Sequence, residues 1–136
     1  MYDAAAVLKA VRPVVSARVR ADAEDAMGTL AFLPEHLDLE VVRLVEEPGA
    51  TRAWVACSFL LLFGVQSGSD TYEARGLLGQ FVLGASGPVS SVFETRQRQA
   101  LSEHEVEWAA VQRFDLGAFH RAFCEACRRE LTGPGR

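Results

Sequence analysis

No isoleucine and no asparagine occur among the 136 residues, and lysine occurs once, as Lys9. Of 14 basic residues the other 13 are therefore arginine. Codons for Lys, Asn and Ile are A/T-rich, so this bias is that of a GC-rich, bacterial genome and not of an arginine-based function. Without Asn there is no N-glycosylation acceptor. Cysteine is sparse and odd in number, at three, which excludes a disulfide scaffold. The opening Met1-Tyr-Asp-Ala-Ala-Ala has neither the basic region nor the apolar core of a secretory signal. Together these features predict a reducing, cytoplasmic setting. No apolar run reaches the roughly 20 residues that a bilayer-spanning helix needs, so no membrane partner is expected. Positive charge is also in deficit, at 14 basic against 18 acidic residues and a net charge of −4. That balance argues against nucleic acid as a partner, because sequence-independent affinity comes from neutralising phosphates.

The hydrophobic share is 49% and the charged share 24%, the composition of an ordinary globular domain. A chain of this length is one domain, 1–136, able to bury roughly two-thirds of its unfolded surface. Its centre is the run Ala53-Trp-Val-Ala-Cys-Ser-Phe-Leu-Leu-Leu-Phe-Gly-Val65, where only Ser58 and Gly64 interrupt the apolar side chains. Trp54, Ala56, Leu60 and Leu62 alternate with Val55, Cys57, Phe59, Leu61 and Phe63, so both faces are apolar. This pattern predicts a central strand covered on both sides.

Around that strand the periodicity predicts the remaining elements. Val7, Leu8, Val11, Val14 and Val15 recur at helical steps over 3–20, with Asp3 as cap, and Pro13 predicts a kink or break near Val11. Ala23, Ala26, Met27 and Leu30 mark a second helix from Asp22 to about Leu33, ended by Pro34. Residues 39–45 are rich in β-formers. Glu46-Glu-Pro-Gly-Ala50 then turns the chain into the long apolar strand, with Pro48 and Gly49 suited to the turn. Ser69 or Asp70 is placed to cap a short helix through Leu78, although Gly76 and Gly79 each weaken it by roughly 1 kcal/mol. Gly84-Ala-Ser-Gly-Pro88 is a turn leading into a strand at 89–97. Residues 103–113 alternate as a strand, with Glu103, Glu105 and Glu107 outward and His104, Val106, Trp108 and Ala110 inward. Ser102 and Glu105 alternatively make a helical capping box. The clearest helix is the last, capped by Asp115, with Leu116, Phe119, His120, Phe123, Cys124, Cys127 and Leu131 on one stripe. Thr132 to Arg136 is a frayed end. The fold expected is α+β: an antiparallel sheet of four to five strands with N-terminal helices, a short middle helix and a long C-terminal helix.

Chemistry is thinly marked. His120, Cys124 and Cys127 have the spacing H-x3-C-x2-C on one helical face, which suits zinc. A fourth ligand would have to be Cys57, His104 or an acid. Zinc sites normally bring two ligand pairs and this chain shows one, so the expectation is a buried helix face using Cys as a small hydrophobe, with no cofactor. A redox use of Cys124 and Cys127 fails on position, since the C-terminal end of a helix disfavours thiolate. Gly84-Ala-Ser86-Gly-Pro88 is not a nucleophile elbow, because Pro88 has no N–H to offer an oxyanion. The acids of 103–107 suit a wet outer face more than acid–base work. Gly76-Leu-Leu-Gly79 lacks the rest of a dinucleotide fingerprint. Arg96, Arg98, Arg128 and Arg129 are scattered as surface charge.

The order helix, helix, two strands, short helix, two strands, long helix is similar to that of small acidic bacterial chaperones for type III secretion effectors, and of the related YbjN-like domains. Leu78-Gly-Gln-Phe-Val-Leu-Gly-Ala-Ser-Gly-Pro-Val89, followed by a strand, resembles their sheet-entry turn. The chain departs from them in its extra N-terminal helix and in 103–113. The function expected is a non-enzymatic protein-binding module, such as a chaperone, adaptor or toxin-neutralising partner, binding another protein and able to form a homodimer. The competing expectation is a small-molecule-binding domain or enzyme, with a pocket between sheet and C-terminal helix lined by Tyr72, His104, Trp108 and His120.

Overall fold

A computed structural model describes residues 2–25, 37–64, 70–101 and 113–132. Four antiparallel strands, β1 (Asp38–Glu47), β2 (Ala50–Gly64), β3 (Asp70–Gly84) and β4 (Gly87–Ala100), form one sheet in the order β1-β2-β3-β4. Helix α1 (Ala4–Asp25) covers one face and helix α2 (Leu116–Thr132) the other. The α+β class and the antiparallel sheet are as expected.

β2 has the double-sided burial its sequence requires. Ala53, Val55, Cys57, Phe59 and Leu61 pack with α1, while Ala56 and Trp54 pack with α2. Alternate side chains point to opposite faces of a strand, so a strand apolar at every position can be satisfied only between two layers.

α1 begins as the sequence predicts, with the Ala6 N–H donating to Asp3 Oδ1 at 2.8 Å. The expected break near Val11 does not occur, and the helix continues through Pro13 to Asp25. An interior proline costs about 3 kcal/mol. Against it, Val7, Val11, Val15 and Val19 are wholly buried along one face, each contributing about 1.5–3 kcal/mol. The stripe outweighs the proline. Asp22, expected to begin a second helix, is instead inside α1, and 26–33 lie outside the described residues.

The short middle helix is a strand. Asp70–Gly84 pairs with β2 from Thr51↔Leu83 to Gly64↔Asp70. Gly76 and Gly79, awkward in a helix, have a clear place here. A Cβ at Gly76 would lie 3.0 Å from the Phe123 ring, and one at Gly79 would lie 2.7 Å from Phe81. Glycine within a strand marks a close approach by a neighbouring group, in this case aromatic rings seated on both faces of the sheet. With the middle helix gone, the element order behind the chaperone resemblance is also gone.

The β1–β2 and β3–β4 turns fall where the sequence places them. Gly49 has φ 75° and Gly87 φ 118°, the left-handed region that glycine tolerates. Pro88 enters β4 at the sheet edge, where a missing N–H is tolerated. A fifth strand is not found among the described residues; the expected strand at 103–113 lies almost wholly outside them, as does the tail beyond Thr132.

Candidate functional site

The α2 face of the sheet holds, among the described residues, the one group of His, Cys and acid side chains close enough to share an ion. α2 is capped by Asp115, whose Oδ1 accepts the Ala118 N–H at 2.9 Å. Its buried stripe is Phe119, His120, Phe123, Cys124, Cys127 and Leu131, as the 3.6-residue period predicts. Arg43 on β1 fixes the far end: its Nη1 donates to the Leu131 carbonyl at 3.0 Å, and its guanidinium lies 5.1 Å from the centre of the Trp54 ring. That contact satisfies a C-terminal carbonyl otherwise left over by the helix.

Ser58 follows Trp54 and Ala56 on this same face of β2. It is fully buried, and a buried hydroxyl needs a partner. It finds one in His120, whose Nδ1 is 2.8 Å from Ser58 Oγ. On the other side of the ring, Nε2 is 3.4 Å from Cys124 Sγ, one turn along α2. A neutral imidazole has one donor and one acceptor nitrogen, so either tautomer satisfies both neighbours. Glu40, on β1 opposite Ala56, completes the group. Its carboxylate, an imidazole nitrogen and the Cys124 sulfur all lie within 4.8 Å of one another. Glu40 also accepts a bond from Arg128 Nη2, with both side chains about half exposed.

Burial governs the ionisation here. It pushes the His120 pKa below its ordinary value, with Asp38 and Glu40 pulling it back up and Arg121 and Arg128 reinforcing the fall. Burial first, and Glu40 second, push the Cys124 thiol up to about 12. Cys127 is raised for the same first reason. Cys57 is raised too, by burial and then by its neighbours Cys124 and Cys127. In this state the thiols are protonated and poor nucleophiles. Ser58 is wholly inaccessible, so the Ser58–His120 pair is a structural link and not a nucleophile with its base.

The expected site residues separate in space. His120 and Cys124 meet as their spacing implies. Cys127 packs with Val42, Ala56 and Leu78 but is outside the Glu40–His120–Cys124 group. Cys57, an expected fourth ligand, faces α1 through the other side of β2; the alternation of the strand removes it. The acid that lies beside His120 and Cys124 is Glu40. Tyr72 lies on β3 four residues beyond Gly76, the partner of Ser58, which is about 13 Å along a strand. His104 and Trp108 lie outside the described residues. Ser86 sits exposed in the β3–β4 turn, and Arg96 pairs with Glu94 and Glu130 while Arg98 pairs with Glu73.

Ser58 and Glu40 are not marked as site residues by their sequence spacing, for different reasons. Ser58 carried a signal, as the one polar side chain inside the run 53–65, apolar on both faces. Glu40 carried none, since an acid in an edge strand is ordinary.

Depressions also open elsewhere among the described residues. One, of about 330 Å³, lies by the hairpin ends against Tyr2, Glu46, Thr51 and Gly84. There the Tyr2 hydroxyl donates to the Gly84 carbonyl at 2.8 Å. Another, about 180 Å³, lies between β4 and the end of α2 against Trp54, Leu78, Val92 and Leu131. Neither includes His120 or Tyr72.

No protein-family model, curated protein or solved structure matches the chain. Among the described residues, no helix is long and apolar enough to cross a membrane.

Proposed function

We propose that the chain is a non-enzymatic protein-binding module that receives an extended segment of a second protein along β4. The observation that carries this reading is the exposure of β4. It is an edge strand 14 residues long, and Val89 and Val92 on it are 68% and 67% exposed. Among the described residues no strand pairs with its outer side. Such an edge offers a row of backbone donors and acceptors to an incoming strand.

The strand is regular only in part. Its register against β3 shifts between Val82 and Leu83 and again between Gly76 and Leu77, leaving Ser90 to Thr95 in unbroken pairing. Bulges and a proline hinder the indefinite edge-to-edge stacking that leads to aggregates. A short partner segment, apolar where it meets Val92, fits the regular stretch. Three unpaired cysteines suit a reducing cytoplasm as the place of action. An adaptor, chaperone or toxin-neutralising partner is the role in keeping with these features, and a second copy of this chain is the other protein that the edge could receive.

The test is capture from the native lysate with size-exclusion of the pure protein, using wild type, Val92→Arg and, as a control on the exposed side of α2, Glu125→Ala. A protein held by wild type and Glu125→Ala but lost by Val92→Arg supports the reading. A wild-type monomer that retains nothing, or a partner indifferent to Val92→Arg, overturns it.

A further inference from the structure

We propose that Glu40, His120 and Cys124 hold one zinc ion on the α2 face of the sheet. The three ligand atoms lie within 4.8 Å of one another, and the His120 Nε2 to Cys124 Sγ distance is 3.4 Å. With Zn–N near 2.0–2.1 Å and Zn–S near 2.3 Å, tetrahedral coordination sets nitrogen and sulfur roughly 3.5 Å apart. The helix therefore already holds this pair at a metal-bridging separation, and Glu40 has to close by at most about 1.5 Å to join them.

The surroundings fit a metal as well as the ligands do. A metal-binding histidine characteristically gives its other ring N–H to a fixed acceptor, and Ser58 Oγ stands 2.8 Å from Nδ1. In the zinc-bound form Nδ1–H donates to Ser58, which leaves Nε2 free for the ion. One thiolate, one carboxylate and a neutral imidazole balance the charge of a divalent cation. The Cys124 proton passes to solvent as the sulfur binds. The ion enters past Glu40, whose side chain is 44% exposed. It takes the place of Arg128, a surface ion pair of the kind worth about 0–1 kcal/mol. Three protein ligands leave a fourth position for water.

This set differs from the H-x3-C-x2-C reading, and the difference is testable. Metal-free protein is titrated with zinc against a chromophoric chelator, and with cobalt followed by absorption. One zinc per folded chain is expected, with a sulfur-to-cobalt charge-transfer band in the near ultraviolet. Cys124→Ala abolishes that band, whereas Cys127→Ala keeps both band and stoichiometry. Ser58→Ala weakens zinc binding about 10–100-fold through loss of the imidazole's support. Glu40→Gln, at the half-exposed rim, keeps the fold by circular dichroism and weakens binding at least about tenfold. The proposal is overturned if folded wild type takes up no zinc. It is also overturned if uptake survives Cys124→Ala and Glu40→Gln unchanged, or is lost in a folded Cys127→Ala.

Discussion

Ser58 in the centre of β2 and His120 on α2, 62 positions apart in the chain, are joined by a 2.8 Å hydrogen bond across the helix–sheet interface. The bond ties the last helix to the first long strand. It also sets the ionisation of the imidazole against the stability of the fold. Burial depresses the folded-state pKa of His120, and among the groups that face it Asp38 and Glu40 only partly oppose this while Arg121 and Arg128 add to it.

The unfolded chain takes up the His120 proton at an ordinary pKa near 6.5, before the folded chain does. Stability from this group is therefore complete above about pH 6.5 and falls as the pH drops towards the folded value, by at most about 1.4 kcal/mol per pH unit. Urea unfolding in chelator at pH 7.5 and 5.5 should show wild type losing more stability than His120→Gln, which keeps a polar group but cannot titrate. Equal losses would show that His120 is protonated in the folded protein.

Gly76→Ala should destabilise by about 1–3 kcal/mol, the cost of overpacking a filled core. The new methyl would meet three carbons of the Phe123 ring at 3.0 Å, and that ring is itself buried. Gly49→Ala has space around its Cβ, and its cost comes from the positive φ alone. Phe123→Leu should restore part of the loss at Gly76 and none at Gly49. Denaturation of the three single and two double variants measures this coupling.

The sequence was a good guide wherever one residue type had one physical use. Asp3 and Asp115 cap their helices, Gly49 makes its turn, and the apolar run is a strand buried from both sides. It misled at 70–78, where capping residues and helical spacing suggested a helix and long-range pairing with β2 made a strand. The glycines there serve rings contributed by β3, β4 and α2, which no local window contains. The site was half legible for the same reason. His120 and Cys124 are four residues apart on one helix, whereas Ser58 and Glu40 arrive through sheet register.

Core and edge substitutions should differ sharply. Phe59→Ala and Leu61→Ala remove side chains with no exposed surface and should cost about 2–5 kcal/mol. Ser91→Ala, at an exposed position of β4, should change stability by less than about 0.5 kcal/mol. A large loss at Ser91 in chemical denaturation would mean that β4 is covered, and would weigh against its role as a docking edge.

The three thiols should react in two stages. Cys57, Cys124 and Cys127 are all buried, and each is pushed towards the protonated form by that burial, so native protein should react negligibly with a thiol reagent at neutral pH. Cys124 and Cys127 lie under α2 in a small cluster with Val42, Ala56, Leu78, Phe123 and Leu131. Cys57 belongs to the larger cluster built on α1, Phe59 and Phe81. Detaching one helix is a smaller opening than unfolding that core, and local openings precede global ones when fewer contacts hold them. In urea below the main transition, mass spectrometry of labelled protein should find Cys124 and Cys127 modified before Cys57. Simultaneous labelling of all three would mean that α2 leaves only when the sheet itself unfolds. It would also mean that the Ser58–His120 link contributes more to cohesion than its small surrounding cluster implies.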